Sequence, residues 1–323
     1  MSYFGWSWNI LRKMGCICTR ESIDINNTKY YIRDIIDGGG FSSIYLVEQI
    51  DSRKKFVIKK IICHGLEDEK LALQEVEYHK MLSHSNILPC LDHSLSNKNT
   101  NSALNSISIL HMLLPFYNRG TIDKDLKIRE KIPLPMKSID LLKIFVEICD
   151  GIKIFHNFRP TPLAHRDIKT SNILLSSDGS PVIMDLGSTS PAIVFIKNNA
   201  EAQKLQDYAS TRCTITYRAP ELFNVEIDAT IDQRTDIWSL GCLLYALCFY
   251  KSPFDYIHEK GDSVALAVVS GRILFPDNSP YPESIHNLIL ALMKINPEER
   301  PFIDEVRSKA NNILFELNNS VSC

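Results

Sequence analysis

His165-Arg166-Asp167-Ile168-Lys169-Thr170-Ser171-Asn172, two short apolar runs and then Asp185-Leu186-Gly187 form the stretch that decides how this chain folds. The runs are Ile173-Leu174-Leu175 and Val182-Ile183-Met184, joined by Ser176-Ser177-Asp178-Gly179. Strand formers on either side of an Asp-Gly turn predict a hairpin, and a hairpin returns the chain to its starting end. Asn172 and Asp185 are therefore expected at one place, where an amide oxygen and a carboxylate suit a hard cation such as Mg²⁺. Asp167, five residues before Asn172, is within reach of the same place. Its carboxylate suits proton acceptance, and Lys169 offers positive charge to an anionic group in transfer. Five specified residues at this spacing (His165, Arg166, Asp167, Lys169, Asn172) arise by chance on the order of once in ten thousand such chains, which sets aside an ordinary polar loop beside a hairpin.

The stretch resembles the catalytic loop and metal-binding motif of protein kinases, and further parts follow in the order of that family. Ile36-Asp37-Gly38-Gly39-Gly40-Phe41-Ser42-Ser43-Ile44 reads as strand, glycine turn and returning strand, whose amides suit the cover of a triphosphate. Phe56-Val57-Ile58-Lys59 places a lysine one strand later, where the resemblance implies pairing with the α and β phosphates. Leu71, Glu75, Tyr78 and Leu82 recur at spacings of three and four, so Glu75 is expected on the inward stripe of a helix. A carboxylate there needs a partner, and Lys59 is the natural one. Leu113-Leu114-Pro115-Phe116-Tyr117 ends a strand. By resemblance Leu114 is the gatekeeper, Pro115 supplies a carbonyl acceptor to adenine and Tyr117 an amide donor. Tyr217-Arg218-Ala219-Pro220-Glu221 matches the end of an activation segment, with Glu221 expected to pair Arg300 and Thr214 to link the segment to Asp167. Ala200 to Ala209 reads as a short helix within it. Ser210, Thr211, Thr216 and Tyr217 are candidate modification sites. Asp236 to Phe249 is apolar on every side, the mark of a buried helix.

The resemblance implies an α+β, bilobal protein-kinase fold. Its kinase domain would cover 28–318, with a small antiparallel sheet lobe (about 28–114, five strands and one principal helix) and a larger, mainly helical lobe (about 118–318). It implies a serine/threonine protein kinase, a transferase of the ATP γ-phosphate to protein Ser and Thr hydroxyls with Mg²⁺ as metal. Lys59, Glu75, Asp167 and Lys169 are the expected catalytic residues, and Asn172 and Asp185 the metal ligands. Ile36, Gly38, Gly39, Gly40, Phe41, Ser42, Ile44, Val57, Lys59, Leu114, Pro115 and Tyr117 are the expected nucleotide contacts. Asp37, Ser42 and Val57 depart from the general pattern, and the methyl groups of Val57 where adenine packs imply weaker nucleotide binding. Ser42, Asp185-Leu186-Gly187-Ser188, Arg212 to Arg218 and Lys260 to Val268 are similar to the Numb-associated kinases, most of all to their myristoylated and palmitoylated branch.

Composition agrees. The chain has 323 residues, 45% of them hydrophobic, and a net charge of −2. That charge gives no general attraction to nucleic acid. Nine cysteines, with Cys149, Cys242 and Cys248 among apolar residues, suggest reduced thiols of the cytoplasm. The most apolar stretch, Ile237 to Tyr250, is too short to span a bilayer. Ser94 to Ser108, rich in Asn and Ser, reads as a surface insertion between two strands.

Residues 1–27 read as a tail with its own message. Met14-Gly15-Cys16-Ile17-Cys18-Thr19 fits the N-myristoylation pattern, with Cys16 and Cys18 available for palmitate, provided that Met14 is the working start. If Met1 is used instead, Phe4, Trp6, Trp8, Ile10 and Leu11 before Arg12-Lys13 form an aromatic segment suited to a membrane interface. Either way the expectation is a cytoplasmic protein peripheral to membranes, with the Golgi as the location the resemblance implies. Neither substrate identity nor oligomeric state is written in the sequence.

Overall fold

The structure is a computed structural model that describes residues 21–39, 42–98 and 107–321. Gly15, Cys16, Cys18, Gly40 and Phe41 lie outside the described residues. Two compact units are distinguished: residues up to Gly65 together with Leu91–Phe116, and Leu66–Cys90 together with the chain from Tyr117 onward.

The first unit is an antiparallel sheet of β1 (Ser22–Ile25), β2 (Thr28–Gly38), β3 (Ser42–Gln49), β4 (Lys55–Cys63), β5 (Asp92–Lys98) and β6 (Ile107–Pro115). Its strand order is β1-β2-β3-β4-β6-β5. Six strands stand where five are expected, because Asn26 and Asn27 both take left-handed backbone (φ 46° and 67°) and turn β1 tightly onto β2. Asparagine is among the few residues that accept such a turn. The Asn26 side chain then donates to Asp92 Oδ1 on β5 at 2.8 Å. The expected insertion at 94–108 differs at both ends, since β5 runs through Lys98 and β6 resumes at Ile107, Asn97 pairing with Ser108. Polar residues are no bar to a ladder that bonds through its backbone.

Ile25, Tyr30, Val47, Ile58 and Leu113 form the core on one face of this sheet. Side chains alternate faces along a strand. Ile44, Val57, Lys59, Met112 and Leu114 therefore belong to the other face, and the register sets Lys59 opposite Ile44 and Met112, and Val57 opposite Leu114.

The second unit begins with helix α1 (Leu66–Met81) and continues through α2 (Ile122–Lys131), α3 (Ser138–His156), β7 (Leu163–Ala164), β8 (Ile173–Leu175), β9 (Pro181–Ile183), β10 (Ser190–Pro191) and β11 (Val194–Phe195). It ends with α4 (Asn199–Arg212), β12 (Thr230–Ile231), α5 (Arg234–Phe249), α6 (Asp255–Glu259), α7 (Val264–Val269), α8 (Glu283–Leu292) and α9 (Ile303–Val321). Helix α5 is the expected buried helix: Ile237, Trp238, Leu240, Cys242, Leu243, Leu244, Ala246 and Leu247 have no exposed surface. Gly241 allows its close approach to α8, because a Cβ there would stand 2.5 Å from the Met293 side chain. Helix α4 is the expected helix inside the 185–221 segment, capped by Asn198, which accepts from the Glu201 amide.

Helix α1 buries three of the four residues of the expected stripe, Glu75, Tyr78 and Leu82. Leu71 is 46% exposed, whereas Ala72, Glu75, Val76, Tyr78, His79 and Leu82 are buried. The apolar spacing identifies the helix and its inward Glu75 correctly, and the buried face is wider than the stripe by Ala72, Val76 and His79. Among the described residues no helix is long and apolar enough to cross a membrane. Cys149, Cys213, Cys242 and Cys248 are unbridged, buried thiols.

Candidate active site

The hairpin predicted from sequence is present, with Ile173 opposite Ile183 and Leu175 opposite Pro181. At its open end the Met184 amide donates to the Asn172 carbonyl at 2.9 Å, which makes Asn172 and Asp185 neighbours across the strand ends. The turn at the far end places Gly179 at φ 97°, a conformation that strains any residue with a Cβ.

Asp167, 7% exposed, is held by four groups. Its Oδ1 accepts from the Thr214 hydroxyl at 2.6 Å and the Thr214 amide at 3.0 Å. Its Oδ2 accepts from Asn172 Nδ2 at 2.9 Å and lies 2.8 Å from Lys169 Nζ. Lys169 Nζ also donates to the Thr214 hydroxyl at 2.7 Å. Two other residues of the 165–172 stretch, Lys169 and Asn172, and one residue 45 positions beyond Lys169 thus share the Asp167 carboxylate. The Thr214 link expected from sequence is present, and it fixes both the direction of the carboxylate and the end of the activation segment.

Asp185 takes left-handed backbone (φ 64°), as does Arg166 (φ 68°). For residues other than glycine such conformations cost on the order of 1–3 kcal/mol and persist only where the surroundings impose them. At Arg166 the cause is visible. The buried Asp236 carboxylate, at the start of α5, accepts from the His165 amide at 2.7 Å, the Arg166 amide at 2.9 Å and His156 Nε2 at 3.0 Å. Burial alone raises an aspartate pKa. The His156 hydrogen bond and charge, with His165 and the Arg166 amide, outweigh it and hold this carboxyl below its ordinary value. The Arg166 side chain donates to the Thr235 hydroxyl and the Ala192 carbonyl. Asp236 thereby braces the loop that carries Asp167.

A depressed folded-state pKa stabilises the protein above the unfolded value, and that contribution is lost as pH falls through the folded value. Asp236→Asn is expected to lower stability by about 3 kcal/mol or more at neutral pH, since it strands buried donors. In urea unfolding over a pH series, the gap between wild type and variant should stay constant down to the ordinary aspartate value of 3.8 and close below it. A gap independent of pH would show that Asp236 acts by shape alone.

Glu75 is 5% exposed and belongs to the same unit as the Asp185 loop. A Cβ at Gly187 would meet Glu75 Oε2 at 3.3 Å and Asp185 Oδ1 at 3.6 Å, so glycine lets the helix carboxylate come this close. Lys59, Val57, Ile44 and Leu114 are gathered instead on one sheet face of the first unit, with Lys59 directly opposite Ile44. Ile36 sits at an irregularity of the β2–β3 pairing between Ile35 and Asp37, and is 46% exposed. Gly39 closes the turn by donating to the Ser42 carbonyl at 2.9 Å. Asp37 turns its carboxylate back onto the Gly38 amide at 2.9 Å, which accounts for its place in a glycine-rich turn. Pro115 ends β6 opposite Phe56, and the Tyr117 carbonyl accepts from the Gly120 amide.

Sequence reasoning missed one residue that supports this site, Asp236. Asp236 carries a signal, a carboxylate opening an otherwise apolar helix.

Against known proteins, the model of the protein kinase domain family matches residues 30–310. The chain is 36% identical over 294 residues to the serine/threonine-protein kinase 16 of Rattus norvegicus, covering 91% of this chain and 93% of the relative. It is 36% identical over 288 residues to the Homo sapiens protein of that name, covering 89% and 91%. It is 30% identical to the serine/threonine-protein kinase ppk13 of Schizosaccharomyces pombe, covering 90% and 92%.

Proposed function

Because the chain belongs to the protein kinase family and is a serine/threonine protein kinase, we propose that Asp167 accepts the proton of the attacking hydroxyl while Lys169 stabilises the phosphoryl group in transfer. The single observation that carries this reading is the Asp167 carboxylate, shared by Thr214, Asn172 and Lys169. Thr214 and Asn172 orient it. Lys169 has a flexible stem and is 23% exposed at its side chain. It is the partner able to move aside for a substrate hydroxyl and to follow charge onto the phosphoryl oxygens.

Kinases use ATP and a divalent metal. For this chain the proposed metal is Mg²⁺, held by Asn172 and Asp185. Asn172 points its amide nitrogen at Asp167, which turns its carbonyl oxygen the other way, and an amide oxygen with a carboxylate is a donor set that Mg²⁺ accepts. The cation supplies charge neutralisation to the phosphates. Lys59 is assigned the α and β phosphates with Glu75 as its counter-charge. The turn Gly38, Gly39, Gly40, Phe41 and Ser42 covers the phosphates. Ile36, Ile44, Val57 and Leu114 pack adenine, with the Pro115 carbonyl and Tyr117 amide reading its edge. The family pattern supports these assignments, together with the common sheet face of Ile44, Val57, Lys59 and Leu114.

Purified protein with Mg²⁺ and labelled ATP is expected to label serine and threonine on a generic protein substrate, and Asp185→Asn to reduce labelling at least about a hundredfold. Equal labelling by both would remove Asp185 from the metal site.

The second part of the proposal is membrane anchoring through myristate on Gly15 and palmitate on Cys16 and Cys18, at membranes that include the Golgi. One acyl chain binds only marginally and a second makes attachment stable. An N-terminal peptide from the native protein should begin at acylated Gly15. A peptide beginning at Met1 or Ser2 with unmodified Cys16 and Cys18 would end this part.

A further inference from the structure

The sheet of the first unit gives one face to Lys59 and the proposed nucleotide, and its other face carries a cationic row that no step of catalysis uses. Cross-strand partners share a face, and the ladder sets Ser43 opposite Lys60, Lys60 opposite His111 and His111 opposite Ser94. Lys60 follows Lys59 and so points the other way, onto the face where Ile58 and Leu113 belong to the core. A hydroxyl, an amine, an imidazole and a second hydroxyl thus stand side by side on β3, β4, β6 and β5, all four residues half-buried.

The two central groups repel one another when both are charged. Burial first, and the Lys60 amine second, push the His111 pKa below its ordinary value, with no carboxylate acting in the opposite sense. Among the described residues neither side chain makes a hydrogen bond or an ion pair. A carboxylate of this face, Asp92, stands two positions before Ser94 and already accepts from Asn26 Nδ2 and the His93 amide, both at 2.8 Å. A half-buried basic pair flanked by hydroxyls and left without an acid suits a multiply charged oxyanion, whose oxygens would take the N–H and O–H donors.

The surroundings favour a lipid headgroup as the carrier of that anion. Ile35, opposite Tyr45 and so on the same face, is 62% exposed, and its Cγ2 would lie 3.8 Å from a Cβ at Gly38, the residue opposite Ser43. An exposed apolar side chain beside basic groups matches an anionic bilayer surface. Strand β1, whose Ile25 is buried in the core of this face, begins at Ser22, seven positions after Gly15. That is a reach of at most about 25 Å, so an acylated Gly15 would keep this sheet close to the bilayer.

We propose that Ser43, Lys60, His111 and Ser94 form a site for the phosphomonoester headgroup of an anionic lipid, with Ile35 entering the bilayer surface beside it. The choice of a lipid over another phosphate carrier draws on the proposed acylation, whereas the site itself does not.

The test therefore uses the full chain made without acyl groups, sedimented with vesicles of phosphatidylcholine alone, with added phosphatidylserine, or with added phosphatidylinositol monophosphate. Binding to the last is expected to exceed binding to phosphatidylcholine at least about tenfold and to fall as salt rises. Lys60→Gln should weaken it about fivefold, and Lys60→Gln with His111→Gln should abolish the preference. Lys54→Gln, which removes the same charge from the exposed β3–β4 connection, should leave binding within about twofold of wild type. Unchanged thermal midpoints separate these effects from loss of fold. No binding to the phosphatidylinositol monophosphate vesicles, or full retention of binding by Lys60→Gln, would overturn the proposal. Equal binding to phosphatidylserine vesicles would reduce the row to general charge attraction and overturn the site as well. If the protein ignores every vesicle but takes a phosphoserine peptide through Lys60, the row reads a phosphoprotein and the lipid assignment fails. A native protein without acyl groups whose vesicle binding behaves as expected would end the anchoring proposal alone and leave this site standing.

Discussion

Asp167→Asn is expected to lower kcat by about 10²–10⁴ with the KM for ATP changed by less than about threefold, the signature of a group that works in the transition state rather than in binding. The structural cost should be small enough to leave a folded protein. Oδ1 can be kept, still accepting from the Thr214 amide and hydroxyl. The new NH₂ would then face Asn172 Nδ2 and Lys169 Nζ, two donors without an acceptor between them. Lys169 can swing to solvent and Asn172 cannot, so a modest drop in thermal midpoint is expected with the large drop in turnover. Steady-state kinetics on a serine-containing peptide, with the midpoint measured on the same preparation, checks both. Turnover within tenfold of wild type would remove Asp167 as proton acceptor.

The largest effect on stability is expected at Glu221. Arg300 has a side chain with no exposed surface and donates to both Glu221 oxygens, at 2.7 and 2.8 Å. Its remaining donors go to the carbonyls of Lys294, Arg234 and Ile295, and its guanidinium lies 5.2 Å from the Trp238 ring centroid. Glu221→Ala leaves those contacts in place and removes the only carboxylate among them. A buried pair broken from one side costs about 3–5 kcal/mol, because the surviving charge is left without its counter-charge in a poorly solvated place. For a unit of this size that is a fall in thermal midpoint of about 10 °C. The i,i+4 pair Lys309–Glu305, both side chains about half exposed, is the control: Glu305→Ala should move the midpoint by a degree or so, as exposed pairs do. A Glu221→Ala midpoint as little changed as the control's would mean that Arg300 is adequately solvated or carbonyl-bound without Glu221.

The parts of this protein legible in its sequence are those whose physics is local. The 173–183 hairpin follows from apolar runs around an Asp-Gly turn, and α5 from apolar residues on every side. The pairing of Glu221 with Arg300 and the link from Thr214 to Asp167 span 79 and 47 positions. They were foreseeable only because the chain resembles a family in which those positions meet. The extra strand β1 was missed because two consecutive asparagines in left-handed backbone, rather than a glycine, make its turn.

By itself the sequence determined the order of elements, the hairpin that brings Asn172 and Asp185 together, and the residue types able to do the chemistry. Backbone conformation and side-chain periodicity are properties of neighbouring residues, so they can be read in a line. Tertiary structure alone decided which buried polar groups meet: Asp236 under the His165–Arg166 amides some 70 residues away, and His79 on the Leu88 carbonyl. A buried donor or acceptor must find a partner wherever the packed elements offer one. That requirement, rather than hydrophobic spacing, places the Asp236 carboxylate under the loop that carries Asp167.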